Sequence, residues 1–304
     1  MSAAKPFRMR LPATSANLGS GFDAVAVALS FFLEIEAQPA REFSIDATGL
    51  DADLCSRLQN NLILDTYSRI LRENGRQVQP LAIRMHNEIP LGMGCGSSAA
   101  GRLAAIAMAR HFGELGWTSD RILEEACVLE GHPDNAAACW LGGFVAAGTE
   151  GRDIQVARVE PPAEWRAIVV QPPESLATSK ARAVLPATYS CADVITNLQA
   201  VSMLGLAFAQ GRGDLLRNAM RDRIHQPYRA EMCPLLPRLL PLAGTGGILG
   251  VALSGAGPAV LVVIADEQGI ESARREILNA TGSLPQPKLS VSRFQISGAN
   301  KSFV

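Results

Sequence analysis

The sequence lacks the ligand spacings of a structural zinc site or a disulfide framework. Its six cysteines include no C-x-x-C pair, and its four histidines include no H-x-x-x-H pair. Zinc sites need such closely spaced ligands, and disulfide-rich domains need a high density of cysteine. We therefore expect most of the cysteines to behave as small buried hydrophobic residues.

The sequence also has no excess of charge of either sign. Its 28 basic and 29 acidic residues give a formal net charge of −1 and are scattered along the chain. Proteins that bind nucleic acid or a membrane surface usually gather basic residues on one face. We therefore expect a small-molecule partner, and no nucleic acid or membrane partner.

Long apolar segments are missing as well. No uninterrupted apolar run reaches the roughly 20 residues that span a bilayer. Residues 1–10 do not combine an apolar core with a small-residue cleavage site, as a secretion signal would. The expected location is the cytoplasm.

What is present is ample apolar surface for a folded core. Hydrophobic residues make up 48% of the 304 residues and charged residues 19%, so the chain can fold without disulfides or metal ions. This length suits one large domain or two moderate ones. Two proline pairs, Pro161-Pro162 and Pro172-Pro173, bracket an apolar stretch. We predict domains at residues 1–165 and 166–304.

Apolar periodicity predicts an α+β chain. The predicted strands cover residues 7–11, 24–35, 81–86, 166–171, 248–253, 259–264 and 289–296. The predicted helices cover residues 62–74, 97–112, 118–130, 191–210, 214–220 and 267–280. Residues 12–23 are rich in Gly, Asn and small side chains, which predicts a tight loop.

The most informative segment is a glycine-rich loop that leads into a predicted helix. Its residues are Pro90, Leu91, Gly92, Met93, Gly94, Cys95, Gly96, Ser97, Ser98, Ala99 and Ala100. Alternate glycines before a helix N-terminus can direct backbone N–H groups at an anion, and the natural occupant is a triphosphate. The segment has no lysine and follows G-x-G-x-G, so it is neither a Walker A loop nor a dinucleotide fingerprint. The alternative is a flexible turn in which Ser97 caps the helix.

Four motifs taken together resemble one family. The segments are PATSANLGSGFD at residues 12–23, PLGMGCGSSAA at 90–100, EGHPDN at 130–135 and SGAGP at 254–258. Their order and sequence are similar to those of the GHMP kinases, and the first and third are most similar to the homoserine kinase branch of that family. Cys95 departs from the usual Leu or Ile, and Ser20 stands where Pro is common. We expect these two departures to change loop stiffness rather than activity.

The resemblance implies a two-domain α+β fold. The N-terminal ATP-binding domain would be ribosomal protein S5 domain 2-like, with a left-handed crossover. The C-terminal domain would be ferredoxin-like, and the site would lie between them. The family resemblance also allows a homodimer.

The resemblance further implies positions for ATP and Mg²⁺. ATP would lie over the loop at residues 90–100, with Asn61 near the adenine and Ser98 on Mg²⁺. By its spacing from Asn135, Glu124 is the preferred carboxylate for Mg²⁺, and Glu130 is the alternative. Without the resemblance, Ser98 and Asn61 would be helix caps, and either glutamate would be a solvated helix surface.

An amino-acid pocket is implied in the same way. Homoserine presents an ammonium and a carboxylate, which need partners of opposite charge. The resemblance assigns the pocket to Asn17, Asp23, His132, Asp134, Asn135, Thr178, Arg182 and Arg229. Asp23 would bind the ammonium, and the two arginines would bind the carboxylate through paired hydrogen bonds. Taken alone, both arginines would be surface salt bridges.

The residues expected to act in catalysis are Asn135, Asp134 and Asn17. An amide cannot act as a base at neutral pH, so Asn135 suggests phosphoryl transfer by positioning, with Asp134 as a general base left open. The implied reaction is L-homoserine + ATP → O-phospho-L-homoserine + ADP, a step toward threonine. The alternatives are another GHMP kinase, such as an L-threonine kinase, and an ATP-binding regulator without turnover.

Overall fold

The computed structural model describes residues 6–302, which form two β-sheets with helices packed around them. The first sheet is six-stranded and mixed. Its strands are β1 (Phe7–Asn17), β2 (Gly21–Pro39), β3 (Ser44–Gly49), β4 (Leu81–Asn87), β5 (Phe144–Glu150) and β6 (Asp153–Val159). They lie in the order β3-β4-β2-β5-β6, with β1 paired to β2. Only the β3–β4 pair is parallel.

The second sheet has four strands and is antiparallel throughout. Its strands are β7 (Arg166–Gln171), β8 (Ile248–Leu253), β9 (Val260–Ile264) and β10 (Lys288–Arg293), in the order β10-β7-β9-β8. Helices separate β7 from β8 and β9 from β10. This β-α-β-β-α-β topology and strand order are those of the predicted ferredoxin-like domain.

Eleven α-helices lie within residues 6–302. They are α1 (Ala52–Cys55), α2 (Leu62–Glu73), α3 (Ser97–Phe112), α4 (Ser119–Glu130), α5 (Asp134–Leu141), α6 (Thr178–Ala183), α7 (Cys191–Gln210), α8 (Leu216–Ala219), α9 (Gln226–Arg229), α10 (Leu235–Leu239) and α11 (Ile270–Thr281). Short 3₁₀ turns cover Gly213–Leu215, Ala230–Met232, Leu240–Leu242 and Ala299–Ser302. The α+β prediction is therefore confirmed.

One apolar core joins the two sheets. Phe144 of β5 stacks on Phe208 of α7 with ring centroids 4.4 Å apart, and Trp165 meets the edge of the same ring. After β10 the chain returns to the first sheet, where Phe294 bridges to Leu29. The second sheet begins at residue 166, but the division at 165/166 stays a prediction.

The predicted loop at residues 12–23 is wrong over three quarters of its length, because β1 covers its first half and β2 begins at Gly21. Strand β1 continues to Asn17, and the turn is confined to residues 18–20. Thr14 and Ala16 pair with β2 in regular register and are buried. Their side chains are small because they pack against other elements, and not because the chain turns there.

Several elements had no clear signal in the sequence. Helix α5 is rich in alanine and buried on nearly every side, so it lacks the amphipathic pattern that identifies a surface helix. Strand β3 and the β5–β6 hairpin were also not predicted. The prediction of α7 matches the observed bounds.

Helix α7 is long and apolar, although its sequence includes polar residues that interrupt any continuous apolar run. Among the described residues it is the one helix whose length and composition would allow it to cross a membrane. This is weak evidence, because core helices of soluble proteins meet the same criterion. Here 28% of its most apolar window is buried inside the protein.

Candidate active site

All four sequence motifs meet at the N-terminus of α3, and three of them are joined there by hydrogen bonds to backbone carbonyls. The backbone N–H of Thr14 donates to the Cys95 carbonyl at 3.1 Å, and the N–H of Gly255 donates to the Ala16 carbonyl at 3.0 Å. The Ser254 hydroxyl donates to another carbonyl of the glycine-rich loop. Strand β1, the loop before α3 and the loop after β8 are thereby joined.

This meeting explains why the loop needs its glycines. Gly94 and Gly96 have φ of 75° and 72°, in the left-handed region. A Cβ on Gly94 would overlap the Ser254 carbonyl, and one on Gly96 would overlap the Thr14 hydroxyl. Only glycine fits both the backbone conformation and the space.

The N-terminus of α3 has no side-chain cap among the described residues. Gly96 occupies the N-cap, so the alternative that Ser97 caps this helix is wrong. The first N–H groups of a helix have no partner inside it, so those of Ser97 and Ser98 are suited to bind an anion. Burial raises the pKa of the neighbouring Cys95 thiol to about 12, so it is chemically inert at neutral pH.

Two cavities share this helix N-terminus. One, of about 420 Å³, is mainly apolar, and the other, of about 300 Å³, which we call the polar cavity, is lined mostly by polar and charged residues. Ser97 and Ser98 line both of them. An elongated ligand with an apolar ring at one end and charged groups at the other fits this arrangement. A larger cleft of about 700 Å³ behind α9 contains none of the predicted site residues.

Asn61 lines the apolar cavity but uses its amide to cap α2. Its Oδ1 accepts hydrogen bonds from the N–H groups of Ile63 and Leu64, at 3.0 and 3.2 Å. Its Nδ2 donates to the carbonyls of Cys55 and Arg57. The helix-cap alternative therefore describes its hydrogen bonds, and Asn61 can meet an adenine ring only by packing.

The structure places Glu130, the alternative carboxylate for Mg²⁺, and not the preferred Glu124 beside Ser98. The Ser98 hydroxyl donates to Glu130 Oε1 at 2.7 Å, and Arg102 Nη1 lies 3.1 Å from the same oxygen. Glu124 instead pairs with Arg121 at 3.3 Å and lines neither cavity. Spacing along the chain misled the prediction, because α4 ends at Glu130 and the chain then turns sharply.

The residues that meet at Ser98 fit a small divalent cation. The Ser98 hydroxyl and the Glu130 carboxylate are hard oxygen donors, which Mg²⁺ prefers, and they lie where the phosphates of a bound nucleotide would reach them. The Glu130 side chain is only 8% exposed. Glu130, rather than Glu124, is the carboxylate that fits.

A hydrogen-bonded group at the start of α5 faces the polar cavity. Asp134 Oδ1 accepts from His132 Nδ1 and from the Asn135 N–H, both at 2.6 Å. Thr14 Oγ1 donates to Asn135 Oδ1 at 2.6 Å. Burial lowers the pKa of His132, but the hydrogen bond and charge of Asp134 outweigh it and raise this pKa overall. Thr14 lies within the first motif but was not predicted as a site residue.

Asp23 and Arg182 form a two-pronged ion pair in the same cavity. The Arg182 guanidinium donates to both Asp23 oxygens, at 2.9 and 2.7 Å. Ligand atoms of Asp23, His132 and Asp134 also lie within 4.8 Å of one another. This corner of the cavity suits a cationic group such as an ammonium.

Asn17 holds this corner in place. Its Oδ1 accepts from the Asp23 N–H at 3.0 Å, and its Nδ2 donates to the Gly255 carbonyl at 2.8 Å. Asp23 itself has a left-handed φ of 53°. The side chain of Asn17 therefore fixes the backbone around Asp23, so its contribution is positional. Thr178, at the start of α6, lines the same cavity.

Arg229 is the most unusual residue of the site. Its side chain lines the polar cavity although the residue is only 1% exposed. Within residues 6–302 no carboxylate lies within ion-pair distance of it, so the surface salt bridge expected from sequence alone is wrong. Burial, followed by the charge of Arg182, lowers the pKa of Arg229. A buried cation of this kind is stabilised when an anion binds beside it.

Known proteins resemble this chain in sequence and in fold. The family described as GHMP kinases N terminal domain matches residues 61–143, and GHMP kinases C terminal matches residues 206–284. A homoserine kinase of Solibacter usitatus is 42% identical over 267 residues, which are 88% of this chain and 87% of that protein. One of Deinococcus radiodurans is 37% identical and covers 86% and 85%. The crystal structure of homoserine kinase from Cytophaga hutchinsonii aligns with a TM-score of 0.82 at 23% identity, covering 98% of both chains.

Proposed function

The chain belongs to the GHMP kinase family, and we propose that it phosphorylates the side-chain hydroxyl of L-homoserine with ATP. The substrate is a small molecule, and the product O-phospho-L-homoserine leads toward threonine. Relatives named homoserine kinase at 42% and 37% identity support this activity. The cytoplasmic location and the absence of nucleic-acid and membrane partners stay predictions.

The observation that carries the proposal is the buried guanidinium of Arg229 beside an acidic corner. An α-amino acid has a carboxylate and an ammonium on one carbon. The cavity of about 300 Å³ offers a cation, Arg229, that has no carboxylate partner in the described part of the chain, and it is also lined by the carboxylates of Asp23 and Asp134. Mevalonate has no ammonium and galactose has neither charge, so both would leave part of the cavity unsatisfied.

ATP would place its base in the apolar cavity and its phosphates over the N-terminus of α3. The loop amides and the hydroxyls of Ser97 and Ser98 hold the phosphate oxygens. Ser98 and Glu130 would bind Mg²⁺, which when present neutralises charge on the phosphates. These groups bring the γ-phosphate toward the cavity that holds the amino acid.

The transfer itself needs alignment more than covalent help from the protein. A bond forms between the substrate oxygen and the γ-phosphorus, while the bond from that phosphorus to the β-phosphate oxygen breaks and ADP leaves. We propose that Asn135, held by Thr14, orients the hydroxyl. Asp134 Oδ1 already accepts two hydrogen bonds of 2.6 Å, so we assign the substrate proton to a phosphate oxygen or solvent. Proton transfer to Asp134 is the alternative.

L-Threonine is the second candidate substrate, because it carries the same charged groups and also has a side-chain hydroxyl, on Cβ rather than Cγ. The coupled assay for ADP release should therefore offer L-homoserine, L-threonine, mevalonate and galactose separately with Mg²⁺-ATP. We expect a strong preference for L-homoserine. Turnover of another alcohol alone would assign a different substrate, and ATP binding without turnover would indicate a regulator.

A further inference from the structure

A buried histidine outside the sequence motifs contacts Arg229. His225 lies one helical turn before Arg229 and has no exposed surface. Its Nδ1 is 3.0 Å from Arg229 Nη1, and its Nε2 is 2.8 Å from the carbonyl oxygen of Gly19.

The two partners of His225 determine its tautomer. A guanidinium can only donate hydrogen bonds, so Nδ1 must be the unprotonated acceptor. A carbonyl oxygen can only accept, so Nε2 must carry the hydrogen. The imidazole is therefore neutral when both contacts are made. Protonation of Nδ1 would remove the acceptor and place a second positive charge beside Arg229.

The surroundings of His225 keep it in place. Phe22 stacks on the imidazole, with ring centroids 5.1 Å apart and planes 24° apart. The guanidinium carbons of Arg229 and Arg182 lie 5.3 and 5.6 Å from the centre of the same Phe22 ring. Asp222 accepts hydrogen bonds from three backbone N–H groups at residues 224–226, which fixes the start of α9.

Neighbouring charged groups shift the pKa of His225 in both directions. Burial lowers the pKa of His225, the charge of Asp222 raises it, and Arg229 lowers it again. The nearer Asp222 oxygen is 3.5 Å from Nε2, and Asp23 is the other acidic residue that acts on the ring. The net direction is downward, which agrees with the neutral form required by the hydrogen bonds.

Three contacts then determine which part of Arg229 is left for a ligand. Its Nε donates to the Ala181 carbonyl at 2.9 Å. Its Nη1 is occupied by His225, with a longer contact of 3.4 Å to the Gly255 carbonyl. In the part of the chain that the structure describes, Nη2 has no hydrogen-bond partner, although the residue lines the polar cavity.

We propose that His225 is a positioning residue that sets the affinity for the amino-acid substrate. Its neutral Nδ1 holds Arg229 Nη1, and Phe22 supports both side chains, so that Nη2 faces the substrate carboxylate. This inference rests on the proposed function, because it assumes a carboxylate-bearing alcohol as the substrate. ATP binding lies at the other cavity and does not depend on His225.

Two substitutions separate the contacts of His225. His225→Asn places an amide oxygen near the position of Nδ1 and keeps an acceptor for Arg229. His225→Gln places an amide nitrogen near the position of Nε2 and keeps a donor for Gly19, but loses the acceptor. We expect His225→Gln to raise the KM for L-homoserine about tenfold, as loss of one aligning hydrogen bond would. His225→Asn should stay within about threefold of the wild type.

The test compares the effect of each substitution on the KM for L-homoserine with its effects on the KM for ATP and on kcat. In both variants the KM for ATP and kcat should change less than about twofold, and circular dichroism should show the wild-type fold. In an Arg229→Lys background, His225→Gln should have little further effect on the KM for L-homoserine. Equal losses in both variants, a parallel rise in the KM for ATP, or full additivity with Arg229→Lys would overturn the proposal.

Assays of the wild type with both amino acids separate a wrong substrate assignment from a wrong role for His225. If it phosphorylates L-threonine but not L-homoserine, the substrate assignment fails, and the comparison of variants with L-threonine still tests His225. If it phosphorylates neither amino acid, the role of His225 in binding an amino-acid carboxylate falls with the proposed function.

Discussion

Replacing Glu130 by glutamine tests the assignment of the Mg²⁺ site. The carboxylate oxygen of Glu130 lies 2.7 Å from the Ser98 hydroxyl, in a side chain that is 8% exposed. Glutamine keeps the size and an oxygen that accepts from Ser98, but removes the negative charge. The variant therefore changes the charge at the site with little change in packing.

We expect Glu130→Gln to lose activity because the carboxylate charge would help to hold Mg²⁺ at the phosphates. Removing one preorganised group that stabilises transition-state charge costs about 10²- to 10³-fold in kcat. We expect Glu130→Gln to lose kcat in this range, and to need at least about tenfold more Mg²⁺ for half-maximal rate because a charged oxygen ligand is lost. The assay is coupled ADP release at saturating ATP and L-homoserine, with Mg²⁺ varied.

Glu124→Gln is the matched control on the same helix. Glu124 is 33% exposed and pairs with Arg121 at 3.3 Å, three residues away. Exposed helix pairs contribute only about 0.3–0.5 kcal/mol, so this variant should keep the wild-type kcat and Mg²⁺ response within about twofold. If Glu124→Gln loses activity and Glu130→Gln keeps the wild-type Mg²⁺ dependence, the reasoning from the Ser98 contact is wrong.

Three further predictions follow from individual contacts. Arg229→Lys should raise the KM for L-homoserine by about 10- to 100-fold and leave the KM for ATP unchanged in steady-state assays, because lysine keeps the charge but loses the fork of donors. Gly94→Ala should weaken nucleotide binding more than about tenfold and lower Tm, because φ is 75° and the new Cβ would overlap backbone of another loop. The pKa of His132 is raised above its ordinary value of 6.5, so its contact with Asp134 should stabilise the fold fully below pH 6.5 and lose that contribution as pH rises through the folded-state pKa. Urea unfolding from pH 5 to pH 9 should show a decline, of at most about 1.4 kcal/mol per pH unit, that His132→Gln lacks.

Each of these predictions has a contrary outcome. Gly75→Ala controls for backbone strain alone, since its φ is 67° and, chain neighbours aside, no described residue comes within 4 Å of the added Cβ. If it impairs nucleotide binding as much as Gly94→Ala, the overlap is not the cause. An equal effect of Arg229→Lys on both substrates would argue against a carboxylate partner. A pH slope that His132→Gln leaves intact would assign the proton to another group.

The glycine-rich loop and the main helices could be predicted from the sequence. The bounds of α3 and α7 match the predicted ones, because both are long and apolar and end in recognisable signals. The proposed phosphate-binding role of residues 90–100 could be predicted from glycines placed before a helix N-terminus. By contrast, the small residues at 12–17 were interpreted as a loop, because close packing and tight turning favour the same side chains.

The sequence by itself thus determined the order of the motifs, most elements and the type of chemistry, since these depend on local propensity and on residues close together along the chain. Only the tertiary structure decided that Glu130 and not Glu124 faces Ser98, and that Arg229 is buried with no carboxylate partner among residues 6–302. The same holds for the contact between His225 and Gly19. These facts depend on which atoms meet after the chain has turned and packed, and contacts between residues distant in sequence leave no periodic pattern in it.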